Sequence, residues 1–185
     1  MEKISERIAI IKGSEDLTVY IKASSSRDVK KITMLKWWTI LWTIAGMLML
    51  TQLFYPGNSD DIKIFVMVYM VFWGYFEYKI ANAYFFRKYG TEVIYINNNK
   101  FMIRRDVHEK QGKQLYFSSK IKNPFRKVED NKGINSAYYQ SFWVITGGSI
   151  AFGEKKEEYR FGLHLTAEET ETLVKLMNKT IQLPS

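Results

Sequence analysis

Two long apolar runs interrupt an otherwise polar chain, at about residues 37–55 and 62–86, with a short acidic turn between them. Residues 37–55, WWTILWTIAGMLMLTQLFY, are 19 positions without a charge, and about 20 apolar helical residues cross the hydrocarbon core of a bilayer. Trp37, Trp38 and Trp42 cluster at one end and Phe54 and Tyr55 sit at the other, as interfacial aromatic belts do. Pro56-Gly57-Asn58 stops the helix. A buried core helix is usually shorter and carries a polar stripe. The pattern therefore predicts a transmembrane hairpin.

The second run is less uniform. Residues 64–76 are only 13 uncharged positions before Glu77 and Lys79, and apolar character resumes over residues 80–86. Two readings fit. The helix runs to Phe86 with Glu77 facing a partner helix and Lys79 snorkelling, or the membrane boundary lies near Glu77 and the helix continues along the surface. Ionisable groups inside a span are costly and mark functional positions.

The flanks alternate with a period of two, which predicts strands. RIAIIK at residues 7–12 and LTVYIKA at 17–23 precede the hairpin. Residues 92–96 and 101–105 flank Asn97-Asn98-Asn99-Lys100, and asparagine tolerates the positive φ of tight hairpins. Further strands are expected at 113–121, 138–146, 149–152 and 157–161, with Gly147-Gly148 as a hairpin turn and residues 120–132 as a basic loop. Thr166 and Glu169 form a capping box, and Thr170, Leu173, Val174, Met177 and Ile181 share one helical face.

The expected fold is a helical membrane hairpin with a small antiparallel β-barrel or sandwich of seven or eight strands and a C-terminal helix. Residues 1–36 supply its first strands and the juxtamembrane segment, 37–86 the hairpin, and 87–185 the main part of the β domain. The hairpin is then an insertion into that domain.

Charge sets the orientation. Arg27, Lys30, Lys31 and Lys36 precede the first span and Arg87 and Lys88 follow the second, whereas the turn holds Asp60 and Asp61 against Lys63. The positive-inside rule places both termini in the cytoplasm. Residues 1–14 are too polar for a signal peptide. Outside 37–86 the chain carries 25 basic and 16 acidic side chains, a net +9. This suits an anionic leaflet or a phosphate-bearing ligand. The absence of cysteine excludes disulfides and thiol chemistry.

The segment IAFGEKKEEYRFGLHLTAEETETLVKLMNK, with its Phe161-Gly162 pair, and the stretch Gly90-Thr91-Glu92-Val93-Ile94 resemble small bacterial two-transmembrane proteins with a PH-like cytoplasmic domain. The layout is also similar to the two-transmembrane β-domain effectors of cyclic-nucleotide anti-phage signalling. That resemblance implies a cytoplasmic β domain that senses a cyclic nucleotide, controls assembly of the spans into an oligomer and so damages the membrane, which it implies is a bacterial inner membrane.

Enzyme signals are lacking. His108 and His164 are the only histidines, far apart in sequence, and no spacing matches a metal site, nucleophile elbow or P-loop. No enzyme, cofactor or metal is expected, and no DNA or RNA polymer as partner. His164 reads as structural. A cyclic nucleotide would need cations for phosphate and aromatic faces for its bases. Candidates are Arg104, Arg105, Lys122, Arg126 and Arg160, with Tyr139 and Trp143 on one face of a strand. The alternative function is a membrane-anchored PH-like module that binds a protein partner or a lipid headgroup.

Overall fold

The computed structural model describes residues 2–13, 16–97, 100–108, 110–118, 124–128, 144–145, 147–153 and 158–181. Strands β1 (Glu2–Lys3), β2 (Ile8–Lys12) and β3 (Asp16–Lys22) come first. Helices α1 (Val29–Thr51) and α2 (Asp60–Tyr89) follow. Then come β4 (Gly90–Asn97), β5 (Lys100–Val107), β6 (Leu115–Ser118), β7 (Phe125–Lys127), β8 (Ile150–Phe152), β9 (Tyr159–Phe161) and helix α3 (Ala167–Ile181).

The strands form two antiparallel sheets, one in the order β1-β2-β3-β4-β5-β6 and one in the order β7-β8-β9. Among the described residues no closed barrel is found, so the barrel form of the expectation is corrected to two sheets. A second correction concerns the basic loop expected at 120–132. Phe125–Lys127 is a strand paired with β8, because Phe125 is drawn into the core at 2% exposure. Of the strand expected at 138–146, residues 138–143 and 146 lie outside the described residues.

Period-two burial builds the core. Leu17, Val19 and Ile21 of β3, Ile94 and Ile96 of β4, and Phe101 and Ile103 of β5 are all buried. Phe101 stacks on Phe117 and meets Phe152 of the second sheet edge-on, with ring centroids 4.0 Å apart in the latter pair. α3 closes this core with Leu173, Met177 and Ile181. Burying each such side chain stabilises the fold by about 1.5–3 kcal/mol. Its N-terminus carries the capping box: Glu169 accepts from Thr166 N–H, and Thr166 Oγ accepts from Glu169 N–H.

The helical hairpin lies between β3 and β4, which are neighbours in the larger sheet, from Asp16↔Asn97 to Lys22↔Thr91. One more bond, Ala23 N–H to the Gly90 carbonyl at 2.9 Å, carries the ladder to the point where the chain leaves for α1 and returns from α2. Both helices are long and apolar enough to cross a membrane, and only 11% of the most apolar 18-residue window of each is buried. A 3-10 turn at Ser26–Asp28 leads into α1, and Asp28 accepts from both the Ser25 amide and hydroxyl there.

α2 continues unbroken through Glu77 and Lys79. Glu77 faces α1, where the Thr43 hydroxyl lies 2.7 Å from its carboxylate and 2.9 Å from the Thr39 carbonyl, with one proton for the two. Lys79 is exposed and sits 5.5 Å from the Tyr75 ring centroid. The Trp73 indole donates to the Trp42 carbonyl at 3.1 Å, and Gly46 permits this approach, since a Cβ there would lie 2.0 Å from the Trp73 ring.

Candidate functional site

The polar residues that chemistry could use converge where the hairpin joins the sheets. Arg7, 6% exposed, emerges at the start of β2 and donates to four carbonyls: Lys22 and Ala23 at the end of β3, and Leu163 and His164 after β9. Arg87, in the last turn of α2, is equally buried, and its guanidinium lies 2.6 Å from His164 Nε2. Arginine only donates, so Nε2 accepts and the imidazole proton resides on Nδ1. Burial first, and then the Arg87 charge, pushes the His164 pKa down to about 4. His164 is therefore neutral near neutral pH.

Both histidines occupy the left-handed region, with φ 56°. Both also touch the end of α2, since the His108 ring stacks on Tyr89 at 4.1 Å. Phe86 packs with Ala23 and Leu163, and Leu35, Ile80 and Ala83 form an adjacent cluster; Ile145 contacts both groups. The hairpin root is thus fixed to the β domain by buried apolar contacts and by two buried arginines.

Glu92 locks the segment that carries His164. It is 1% exposed, its Oε1 pairs with Arg105 Nε at 2.9 Å, and its Oε2 accepts from Gly162 N–H at 2.6 Å. Gly162 has φ +75°, a conformation that side chains rarely adopt. The Gly90–Ile94 stretch and the Phe161-Gly162 pair, distant in sequence, meet through this contact.

Two cavities flank His164. One, of about 650 Å³, is lined by Glu6, Asp28, Glu168 and Glu169 around Arg7. The other, of about 480 Å³, is lined by Lys31, Lys127 and Arg160, with Gly147 and Gly148 on its wall.

The residues foreseen from sequence are partly brought together. Arg105 donates to the Arg160 carbonyl and lies over the Tyr159 ring. Arg126 and Arg160 both bind Glu158, and Arg126 also donates to the Gly153 carbonyl. Burial alone would raise the Glu158 carboxyl, but bonds from Arg126 and Arg160 hold it below its ordinary value. Arg104 projects from the other face of β5, paired with Asp106 at 2.8 Å and donating to Gln111. Each of these four arginines is thus engaged with a carboxylate. Lys122, Tyr139 and Trp143 lie outside the described residues.

Arg7 and Arg87 carry no site signal of their own in the sequence, where His164 reads as structural. Glu92 does carry one: it shares the inward period-two face of Ile94 and Ile96, where a carboxylate requires buried partners. Comparison of the chain with protein-family models, characterised proteins and solved structures finds no match.

Proposed function

We propose that this chain is a non-enzymatic sensor-effector of the bacterial cytoplasmic membrane. Its hairpin spans the bilayer with both termini inside. Its β domain binds a nucleotide-type signal of the cyclic-nucleotide class, and that binding governs self-association of the hairpins until the membrane leaks. The observation that carries this reading is the insertion of the hairpin between two hydrogen-bonded neighbouring strands, β3 and β4. A displacement of either strand moves the root of a helix, and Arg7 and Arg87 join both roots to the segment around His164. The apolar outer faces, with Leu41, Met47, Phe65, Val71 and Phe72 more than half exposed, favour a lipid surrounding, because soluble proteins rarely carry such patches. A ligand acts on this equilibrium only as far as it binds the assembled state more tightly than the resting one.

The test is dye leakage from cells expressing the full chain together with cyclases that supply different cyclic nucleotides. Leakage with one product and not the others supports the reading; no leakage and no binding across the panel rejects it. A second reading, a PH-like module that recruits a protein partner or reads the inner leaflet, is favoured by the basic cavity beside Lys31. It predicts co-purifying partners and no ligand-dependent leakage.

A further inference from the structure

The two cavities beside His164 have opposite charge. Among the described residues, the wall of the 480 Å³ cavity holds Lys31, Lys127 and Arg160 and no carboxylate, whereas its neighbour presents four acids against Arg7. The cations come from the first turn of α1, the end of β7 and β9, so only folding brings them together. Arg160 is already paired with Glu158. Lys31 and Lys127 make no ion pair among the described residues, and Glu171, whose carboxyl feels the Lys127 charge, is held by Lys175 at 2.6 Å. Gly147 and Gly148 leave part of the wall without side chains, and the volume suits a small polar ligand.

Height matters as well. Lys31 precedes Trp37 by six residues, about 9 Å along a helix. An interfacial layer about 5–8 Å deep lies on each side of the hydrocarbon core. With the exposed Trp37 and Trp38 at the inner edge of that layer, Lys31 stands at its outer edge, on the cytoplasmic side of the headgroups.

We infer that this cavity binds a phosphate group, with Lys31 and Lys127 as its counter-charges. The phosphate belongs either to the headgroup of an anionic lipid or to the soluble ligand of the proposed sensor. The inference rests on the sensor-effector reading only for the soluble source, and on the membrane placement of the hairpin for the lipid source.

The test uses the purified full chain in phosphatidylcholine nanodiscs. In one arm phosphatidylglycerol is added to the discs and its retention by the protein is measured. In the other, cyclic AMP and inorganic phosphate are titrated calorimetrically. The Lys31→Gln/Lys127→Gln variant is compared with Lys30→Gln/Lys36→Gln, which removes the same charge from α1 without touching the cavity, and with Lys31→Arg/Lys127→Arg. Unchanged circular dichroism and thermal midpoints establish that all are folded.

The first variant is expected to bind about thirtyfold more weakly in the arm that shows binding, as for two juxtamembrane cations. The α1 pair should lose far less, and the arginine pair should retain binding. The arm that responds names the source. Equal losses in the two glutamine variants, or no binding in either arm, overturns the inference. Unchanged binding in the Lys31→Gln/Lys127→Gln variant rejects the cavity alone; binding by the unaltered chain without ligand-dependent leakage in cells rejects the sensor-effector reading alone.

Discussion

Replacing Glu92 by alanine probes the junction most sharply. The side chain is 1% exposed and serves two buried partners, Arg105 at 2.9 Å and the Gly162 amide at 2.6 Å. Its removal leaves a guanidinium whose side chain is only 18% exposed without its counter-charge. Breaking a buried pair from one side costs about 3–5 kcal/mol. An orphaned amide alone costs about 1–3 kcal/mol. These losses overlap, and Arg105 keeps the Arg160 carbonyl and the Tyr159 ring, so the low end applies: about 3 kcal/mol for Glu92→Ala. Glu92→Gln preserves an acceptor for Gly162 and should cost about half as much.

Urea unfolding of the detergent-solubilised chain measures the loss, and hydrogen exchange at residues 161–164 localises it. The Gly162 amide should exchange faster in Glu92→Ala than in Glu92→Gln. Adding Arg105→Met to Glu92→Met should recover much of the stability, because an apolar pair replaces an unpaired charge. A cost below about 1 kcal/mol for Glu92→Ala, with unchanged exchange at 161–164, would refute the reasoning.

Other positions give independent checks. Gly46→Ala places a Cβ 2.0 Å from the Trp73 ring and should destabilise the hairpin by about 1–3 kcal/mol, read from thermal unfolding and tryptophan emission; no change would mean the helices are further apart. Thr43→Val removes the hydroxyl beside Glu77 and should cost only about 0.6 kcal/mol, the average for an interhelical bond in a membrane. His164 has its pKa lowered from 6.5 to about 4, so the unfolded chain binds its proton first as pH falls. Its contribution is therefore complete above pH 6.5 and is lost between 6.5 and about 4. With screening of this partly exposed ring, the loss should be about 1–2 kcal/mol. His164→Gln should flatten that part of the stability–pH curve, and an equally steep curve in the variant would contradict the assignment.

Much of the secondary structure is legible because its determinants are local. Alternation places β2 and β3 within a residue of their observed limits, and the Thr166/Glu169 box marks the start of α3. The first helix begins eight residues before the expected span, at Val29, because a helix does not end at the edge of its apolar run: the charged turn from Lys30 to Lys36 is helical too. β7 was hidden for the opposite reason. Three residues with two cations read as a loop, and only pairing with β8 and burial of Phe125 make them a strand. The site was less legible still. Arg7, Arg87, Glu92 and His164 are scattered over 158 positions, and their roles arise from the β3–β4 pairing that brings the hairpin root against the segment after β9. The arginines chosen as ligand contacts illustrate the same limit, since their charge is visible in sequence and their carboxylate partners are not.

In the proposed architecture the hairpin crosses the membrane and returns into the sheet it left. The chain has no cysteine, so single cysteines report without background. Ser59→Cys, in the turn between α1 and α2, and Lys110→Cys, beyond β5, are exposed positions on opposite sides in this account. In intact spheroplasts an impermeant maleimide should label the first at once and the second only after permeabilisation. Labelling of both or of neither before permeabilisation would contradict the account.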